Sequence, residues 1–254
     1  MNAQVIGQSK TDQTHWVDTI PGEQWQVYER VMREAQRRGI QFALGGAVAL
    51  GTYSGRWRNT KDVDLYICPD DREAMVDAMT EVGLKDYFDV LPYDRKWIYR
   101  GHVENTIVDA IWSMANYRAQ VDKDWISCGP VTQCGDLQVH VLPAEELIWS
   151  KIYVMQRERC DWPDILNILH AVGPSLDWEH LLQSLGDDYR LLSGVLSVFS
   201  WMDPAVACQL PAAVWQKTRL PRPGSVAKGV AEQRVRYFDS RNWFGPAEAC
   251  DVTT

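Results

Sequence analysis

Apolar and polar residues follow two different periods along the chain. A short apolar run over residues 41–44 predicts a buried strand, and a helix is predicted over residues 47–53 after two glycines. Residues 62–67 alternate acidic or polar side chains with apolar ones, which predicts a strand with one apolar face. Because Asp62 and Asp64 are two residues apart, we expect both on the other face, with Cα atoms roughly 7 Å apart.

The same criteria predict the remaining elements. The first helix opens at Pro21 and Gly22 and is closed by Gly39. Further helices are predicted over residues 70–82, 143–158, 162–172, 177–185 and 189–201, with a hairpin over 96–112 and a strand over 137–142. The chain therefore divides into a polar segment (1–20), a domain of mixed helices and strands (21–142), a helical domain (143–202) and a tail rich in Pro and Arg (203–254).

The acidic face of the strand that begins at Asp62 needs a compensating charge. Two carboxylates held close repel each other, and oxygen ligands of this kind suit Mg²⁺. The pair Gly45-Gly46 permits a sharp turn and close approach of a ligand to backbone amides, and the following helix N-terminus attracts phosphate. The alternative is a plain strand-to-helix turn beside a solvated strand face. The order of the features favours a metal and phosphate site.

The succession of apolar strand, Gly-Gly, helix, basic loop and Asp-x-Asp resembles the signature of nucleotidyltransferases of the DNA polymerase beta superfamily. The resemblance is close over residues 41–67 and looser to about residue 172. It is most similar to bacterial minimal nucleotidyltransferases of the AbiEii toxin type, in which a Lys-bearing helix precedes a segment with Arg and Asp. One departure is that 15 residues (47–61) separate Gly46 from Asp62, which predicts a longer connecting loop.

The resemblance implies an α+β fold. A polymerase-beta-like core, with a mixed sheet flanked by helices, would be followed by a C-terminal helical bundle. It also implies a third carboxylate on a neighbouring strand, and the candidate is Asp109, a lone acid among apolar residues. The alternatives are that Asp109 is an exposed edge-strand residue or that Glu104 takes its place, although Glu104 fits a hairpin turn better.

By this resemblance Asp62, Asp64 and Asp109 would be the catalytic and metal-binding residues. They would hold Mg²⁺ or Mn²⁺, as two ions about 4 Å apart, with a nucleoside triphosphate such as ATP as substrate. The expected reaction transfers a nucleoside monophosphate to a hydroxyl and releases pyrophosphate. The acceptor, whether transfer RNA, protein or small molecule, and the base preference are left open by the sequence.

Several basic residues are candidates for binding the triphosphate, together with Gly45 and Gly46. Arg56, Arg58 and Lys61 precede the acidic strand, although such loops are often only solvated. Lys151 lies on a predicted helix with an apolar face, and it is either extended towards solvent or directed at the site. The resemblance favours the site.

Asp161 and Asp164 are three residues apart and therefore share a helix face. An N-terminal cap explains Asp161 without any function. A matching acid is catalytic in related toxins, so Asp161 is a secondary candidate.

Composition restricts the other possibilities. The net charge of -8 argues against a protein that coats nucleic acid, although a local basic cleft is compatible with it. The six cysteines show no spacing typical of zinc sites or disulfide frameworks. Without an apolar leader or an 18-residue apolar run, we expect a cytoplasmic protein with no membrane partner. The toxin resemblance adds an antitoxin as a possible partner.

The tail carries arginines beside aromatic residues, at positions 234, 236, 237, 241, 243 and 244. This composition favours a tail docked on the domain by its aromatics, with nucleic-acid binding as the alternative.

Two rival functions share the acidic motif. A glycosyltransferase uses Asp-x-Asp to hold a metal on a sugar nucleotide, but it requires a nucleotide-binding βαβ region upstream, and only 61 residues precede Asp62. A non-catalytic member of the nucleotidyltransferase fold is the second rival. The complete set of three aspartates argues against it.

Overall fold

A mixed sheet of seven strands organises the structure, a computed structural model that describes residues 16–57, 59–224 and 226–245. The strand order is β3-β4-β5-β2-β1-β7-β6. Pairs β2/β5 and β1/β7 are parallel, and the other neighbours are antiparallel. The strands are β1 (Phe42–Leu44), β2 (Asp62–Ile67), β3 (Lys85–Asp86), β4 (Ile98–Val103), β5 (Thr106–Ile111), β6 (Val131–Cys134) and β7 (Leu137–Val141).

Helices flank this sheet and make up most of the chain after it. They are α1 (Gly22–Arg37), α2 (Gly46–Ser54), α3 (Arg72–Glu81), α4 (Lys123–Ser127), α5 (Ala144–Lys151), α6 (Trp162–Val172), α7 (Trp178–Leu185), α8 (Tyr189–Met202), α9 (Pro204–Ala207), α10 (Ala212–Thr218) and α11 (Lys228–Arg236). The predicted α+β class, with a mixed sheet flanked by helices and a helical C-terminal region, is confirmed.

Strand β2 has the two faces that its sequence predicts. Val63, Leu65 and Ile67 are fully buried, whereas Asp62 and Asp64 are half-buried on the opposite face. Burying each branched side chain contributes roughly 1.5–3 kcal/mol, so the apolar residues fix which face points to the core. A slip by one residue would bury the acids, and the register is therefore strongly determined.

One cluster of buried residues joins the sheet to the C-terminal helices. It runs from Trp16, before α1, to Trp215 on α10, and it includes Phe199 of α8. Helix α2, which follows β1, packs against α6. The core is thus continuous across residue 143, where the sequence suggested a domain boundary, and the four boundaries stay predictions.

One predicted helix is wrong in extent. Residues 143–158 were expected to form a single helix, but α5 ends at Lys151 and a loop follows as far as α6. In that loop the Asp161 amide donates to the Val154 carbonyl (2.9 Å), which turns the chain back towards α5. The turn brings carboxylates to the buried Lys151 ammonium, and an unpaired charge there would be more costly than the lost helical turns.

None of the helices in residues 16–57, 59–224 and 226–245 combines the length and apolar character needed to cross a membrane.

Candidate active site

Asp64 and Asp109 lie side by side on two parallel strands. Strand β2 pairs with β5 so that Asp64 is the register partner of Asp109, and Asp62 is the partner of Ile107. Residues at the same register position share a sheet face and are separated by about 4.8 Å between neighbouring strands. The three aspartates selected from sequence are therefore gathered on one face.

The glycine pair lies directly over this face. Gly46 has φ +50, and a Cβ built there would overlap Oδ2 of Asp64. A Cβ at Gly45 would overlap the ring of Tyr66, and the Gly45 amide donates to the Asp64 carbonyl (2.9 Å). Both positions therefore need glycine, and the N-terminus of α2 lies against the carboxylate.

Arg100 is the residue that sequence analysis missed. It lies opposite Asp109 on β4, and its Nε and Nη2 donate to the two carboxylate oxygens at 2.8 and 2.5 Å. The Asp109 side chain is only 2% exposed, so this two-point ion pair satisfies a buried charge. A signal was present, because a hairpin that turns at Glu104 and Asn105 places residue 100 opposite residue 109.

Arg100 and Asp64 lie on the two strands that neighbour Asp109. Strands β4 and β2 pair with opposite sides of β5, and the Arg100 guanidinium bonds to the Asp109 carboxylate. The pKa of Asp64 is raised to about 7. Burial is the largest cause, and the charges of Asp109 and Asp62 raise this pKa by more than Lys151 and Arg100 lower it. Burial likewise raises the pKa of Asp109, although Arg100 opposes this. The face thus has an excess of negative charge that a cation would relieve.

Aromatic rings border the acids on the same face of β2. Tyr66 follows Asp64 by two residues and stacks on Trp125 with ring centroids 6.1 Å apart, and Trp125 contacts Trp149 at 5.7 Å. Burial raises the pKa of the Tyr66 hydroxyl, and the charge of Asp64 raises it further. This apolar wall limits hydration of Asp64 and explains why its carboxylate is costly to ionise.

The three carboxylates have the donor chemistry of a divalent metal site. Carboxylate oxygens are the ligands that Mg²⁺ and Mn²⁺ prefer. The pKa of Asp64 is raised first by burial and then by the charges of Asp109 and Asp62. Among the described residues, however, no three His, Cys, Asp or Glu side chains are arranged as a formed metal site. Both oxygens of Asp109 accept from Arg100, which leaves each with its second lone pair. The donor set fits these ions, with Asp109 shared between a cation and Arg100.

Three of the predicted phosphate ligands lie in the loop before β2. The Arg56 Nη1 donates to the carbonyls of Asn242 (2.9 Å) and Gly245 (3.1 Å), so this guanidinium contacts the C-terminal segment. Lys61 is exposed beside Asp62, and Arg58 lies outside the described residues. The phosphate roles of all three stay predictions.

Lys151 is held by two carboxylates. Its Nζ donates to Asp161 (2.9 Å) and Asp164 (2.7 Å), and its side chain is 10% exposed. Burial acts to lower the pKa of Lys151, but Asp164 and Asp161 raise it overall. Lys151 also lowers the pKa of Asp64, so this ion-pair cluster lies within electrostatic range of the acidic face. Lys151 therefore carries a positive charge near the site, and Asp161 and Asp164 already neutralise most of that charge.

Asp161 precedes α6 at the capping position, but the capping interpretation is wrong. Its side chain makes no capping hydrogen bond and instead accepts from Lys151 and from Arg159 at 2.8 and 2.9 Å. Burial favours the neutral form of Asp161, but the bonds from Arg159 and Lys151 lower its pKa overall. Asp161 therefore stays ionised beside the site, and its catalytic role stays a prediction.

Comparisons with known proteins give similarity to solved structures only. No family model and no curated protein matches the chain. The chain is similar to the antibiotic-resistance factor ANT(2'')-Ia, at 16% identity over 69% of this chain and 95% of that chain, with a TM-score of 0.46. Lincomycin-bound LnuA, a lincosamide antibiotic adenylyltransferase, is 14% identical over 59% of this chain and 97% of its own, with a TM-score of 0.43. JHP933 from Helicobacter pylori is 14% identical over 86% and 97%, with a TM-score of 0.38.

Proposed function

We propose that this protein is a metal-dependent nucleotidyltransferase of the DNA polymerase beta superfamily. It transfers a nucleoside monophosphate from a nucleoside triphosphate to a hydroxyl acceptor and releases pyrophosphate. The observation that carries the proposal is the register of β2 and β5, which places Asp109 beside Asp64 under the glycine turn that opens α2. If this face served only to hold the Arg100–Asp109 ion pair, it would not need two further carboxylates, Asp62 and Asp64.

The roles of the residues follow from their positions. Asp62, Asp64 and Asp109 would hold the divalent ions, since all three carboxylates lie on one face of the sheet. When bound, these ions neutralise the triphosphate and lower the pKa of the acceptor hydroxyl. Gly46 gives the phosphates access to the amides at the N-terminus of α2. Asp109, which is oriented by its bonds from Arg100 and whose pKa is raised by burial, would accept the hydroxyl proton.

The basic residues near the site have different roles in this proposal. Lys61 is exposed at the start of β2 and is free of the ion-pair cluster around Lys151, so it is a direct candidate for the triphosphate. Lys151 lends positive potential to the acidic face through its effect on Asp64. The Nη1 of Arg56 already binds the C-terminal carbonyls, so a phosphate bound by this nitrogen would compete with those bonds.

The nature of the acceptor and of the biological setting stays open within this proposal. Transfer RNA, protein and small-molecule hydroxyls are all compatible with the site. The AbiEii-type toxin role, the antitoxin partner, ATP as the preferred triphosphate and the cytoplasmic location stay predictions from sequence.

One observation favours a second candidate, a non-catalytic member of the same fold that binds a nucleotide or a partner. Arg100 supplies to Asp109 the positive charge that a metal would otherwise supply. A glycosyltransferase is disfavoured, because β1 and β2 are antiparallel and no parallel βαβ unit precedes Asp62 in the described residues.

The test is nucleotide transfer in vitro. The protein is incubated with each α-labelled nucleoside triphosphate, Mg²⁺ or Mn²⁺ and a cell extract, and the labelled product is identified. We expect Asp62→Asn and Asp64→Asn each to abolish transfer while thermal unfolding stays cooperative. The matched control is Asp77→Asn, an exposed carboxylate on α3, which should transfer at the wild-type rate.

The same experiment separates the two candidates. Substantial transfer by either site variant would remove that aspartate from the mechanism. Triphosphate binding without transfer to any fraction of the extract would favour the non-catalytic candidate.

A further inference from the structure

Positive charge is concentrated near the end of the chain. Residues 217–245 contain seven of the 26 Lys and Arg residues but only two of the 34 Asp and Glu residues. This segment has a formal charge of +5 in a protein whose net charge is -8. Such segregation creates a local positive potential that the overall charge conceals.

Two large aromatic side chains of this segment are exposed, and so is a third that contacts them from α8. Tyr237 is 69% exposed, Phe238 55% and Trp201, at the end of α8, 39%. The Trp201 ring stacks on Tyr237 with centroids 6.3 Å apart, and Phe238 meets Trp201 edge-on at 6.0 Å. Exposed aromatic rings in contact with one another are typical of binding surfaces rather than of solvated ones.

One arginine contacts these rings, and a second is exposed next to Tyr237 in the chain. The Arg234 guanidinium lies 5.1 Å from the centre of the Trp201 ring and donates to the Trp201 carbonyl (3.0 Å), and Arg236 is exposed on the same helix, α11. We call Trp201, Arg234, Arg236, Tyr237 and Phe238 the basic aromatic surface.

The carboxylate next in the chain after this surface is compensated. Arg241 donates through Nη2 to Asp239 at 2.7 Å, and this bond with its companions lowers the pKa of Asp239 to about 2. Asp239 is therefore paired with a cation, and it does not cancel the charge of Arg234 and Arg236.

The segment that follows is anchored to the domain. Phe244 stacks on His170 with centroids 4.6 Å apart, and Trp243 packs on Phe238 at 5.9 Å. The Arg56 bonds to the carbonyls of Asn242 and Gly245 tie the segment to the loop that leads to β2. The docked-tail interpretation from sequence is thus correct for Phe244, whereas the basic aromatic surface stays exposed.

We propose that the basic aromatic surface binds single-stranded nucleic acid. Its arginines contact phosphates, and Tyr237 and Phe238 stack on unpaired bases, a combination that tracks a single strand with little sequence preference. An apolar partner would not account for Arg234 and Arg236, and an acidic protein partner would not account for the exposed rings. This binding goes beyond the proposed transfer reaction and does not depend on it.

The experiment measures fluorescence anisotropy of a labelled oligonucleotide with the whole protein and no triphosphate. Single-stranded RNA, single-stranded DNA of the same sequence and the DNA duplex are compared. We expect Tyr237→Ala and Arg236→Glu each to weaken single-strand binding about tenfold, with a salt dependence that is shallower for Arg236→Glu. The matched control is Arg30→Glu, an exposed arginine on α1, which should bind as the wild type does.

The possible outcomes are distinct. Binding of both single-stranded RNA and single-stranded DNA supports the proposed phosphate contacts and base stacking. Binding of RNA alone also supports them and adds the 2′-hydroxyl as a further contact. Equal binding of the duplex, an unchanged Tyr237→Ala variant, or self-association that buries this surface in sedimentation would overturn the proposal. Asp64→Asn is expected to bind normally, so failure of nucleotide transfer and failure of this inference are separable.

Discussion

Gly46 lies so close to Asp64 that a methyl group at Gly46 would overlap the carboxylate. Its φ of +50 adds a second constraint, because side chains rarely adopt that backbone conformation. We expect Gly46→Ala to destabilise the protein by about 1–2 kcal/mol and to abolish transfer by displacing Asp64. Urea unfolding and labelled transfer measure the two effects.

The control for this prediction is Gly22→Ala. Nothing lies within 4 Å of a Cβ at Gly22, the first residue of α1, so this variant should keep wild-type stability or gain slightly. Full activity in Gly46→Ala would contradict the assigned geometry.

The second prediction concerns the ion pair between Arg100 and Asp109. Removing Arg100 leaves a buried carboxylate without its two donors, so Arg100→Gln should cost about 3 kcal/mol in the free energy of unfolding. The double variant with Asp109→Asn should recover part of that loss, since no buried charge remains. Arg95→Gln, which breaks an exposed pair with Asp86, should cost under about 1 kcal/mol.

A metal titration separates the two proposed functions at the same residue. If Asp109 is shared between Arg100 and a cation, Mn²⁺ should raise the melting temperature of Arg100→Gln more than that of the wild type. Equal shifts in both proteins would show that Asp109 takes no part in metal binding.

Lys151 carries the third prediction. Because its ammonium neutralises Asp161 and Asp164 in a buried cluster, Lys151→Met should lower the unfolding free energy by about 3 kcal/mol. Arg159→Gln is the contrasting variant, since its side chain is 66% exposed and its loss should be minor. If a folded Lys151→Met protein keeps the wild-type triphosphate affinity, Lys151 does not bind phosphate.

His180 and Glu146 predict a pH dependence of stability away from the site. The bond to Glu146 (2.5 Å) raises the pKa of His180 above its ordinary 6.5. The stabilisation from this proton is fully present below pH 6.5 and is lost as the pH rises through the raised pKa. The unfolding free energy of the wild type should therefore exceed that of His180→Gln in acid, and the difference should shrink in alkali.

The control for the histidine prediction is Gln183→Ala, an exposed position on α7. Because this change removes no titrating group, its difference in unfolding free energy from the wild type should stay constant over the same pH range. If the difference in unfolding free energy between the wild type and His180→Gln grew with rising pH, the assigned ion pair would be contradicted.

The sequence was sufficient for the parts of the site that local patterns determine. Alternation along residues 62–67 gave β2 and its acidic face, and the glycine pair gave the turn into α2. Asp109 was identifiable because a charge among apolar residues needs a partner. These inferences depend on periodicity and on the cost of burial, which act within a few residues.

The remaining parts depend on contacts distant in sequence. Residues 152–158 carry enough apolar side chains to suggest a helix, but compensation of Lys151 by Asp161 turns the chain instead. Arg56 looked like a free phosphate ligand, because no local pattern shows that residues 242–245 reach it. Only tertiary structure decides which charge each of these residues meets.

The parallel pairing of β2 with β5 has a consequence for how the site assembles. Asp62 and Asp64 are synthesised well before Asp109, and the hairpin that carries Asp109 must dock before the three acids meet. A fragment that stops short of Thr106 would keep the Asp-x-Asp pair yet lack its counterpart. If the proposed metal site is correct, affinity for Mn²⁺ reports the closing step of sheet formation, and a chelator acts on folding as well as on the proposed transfer.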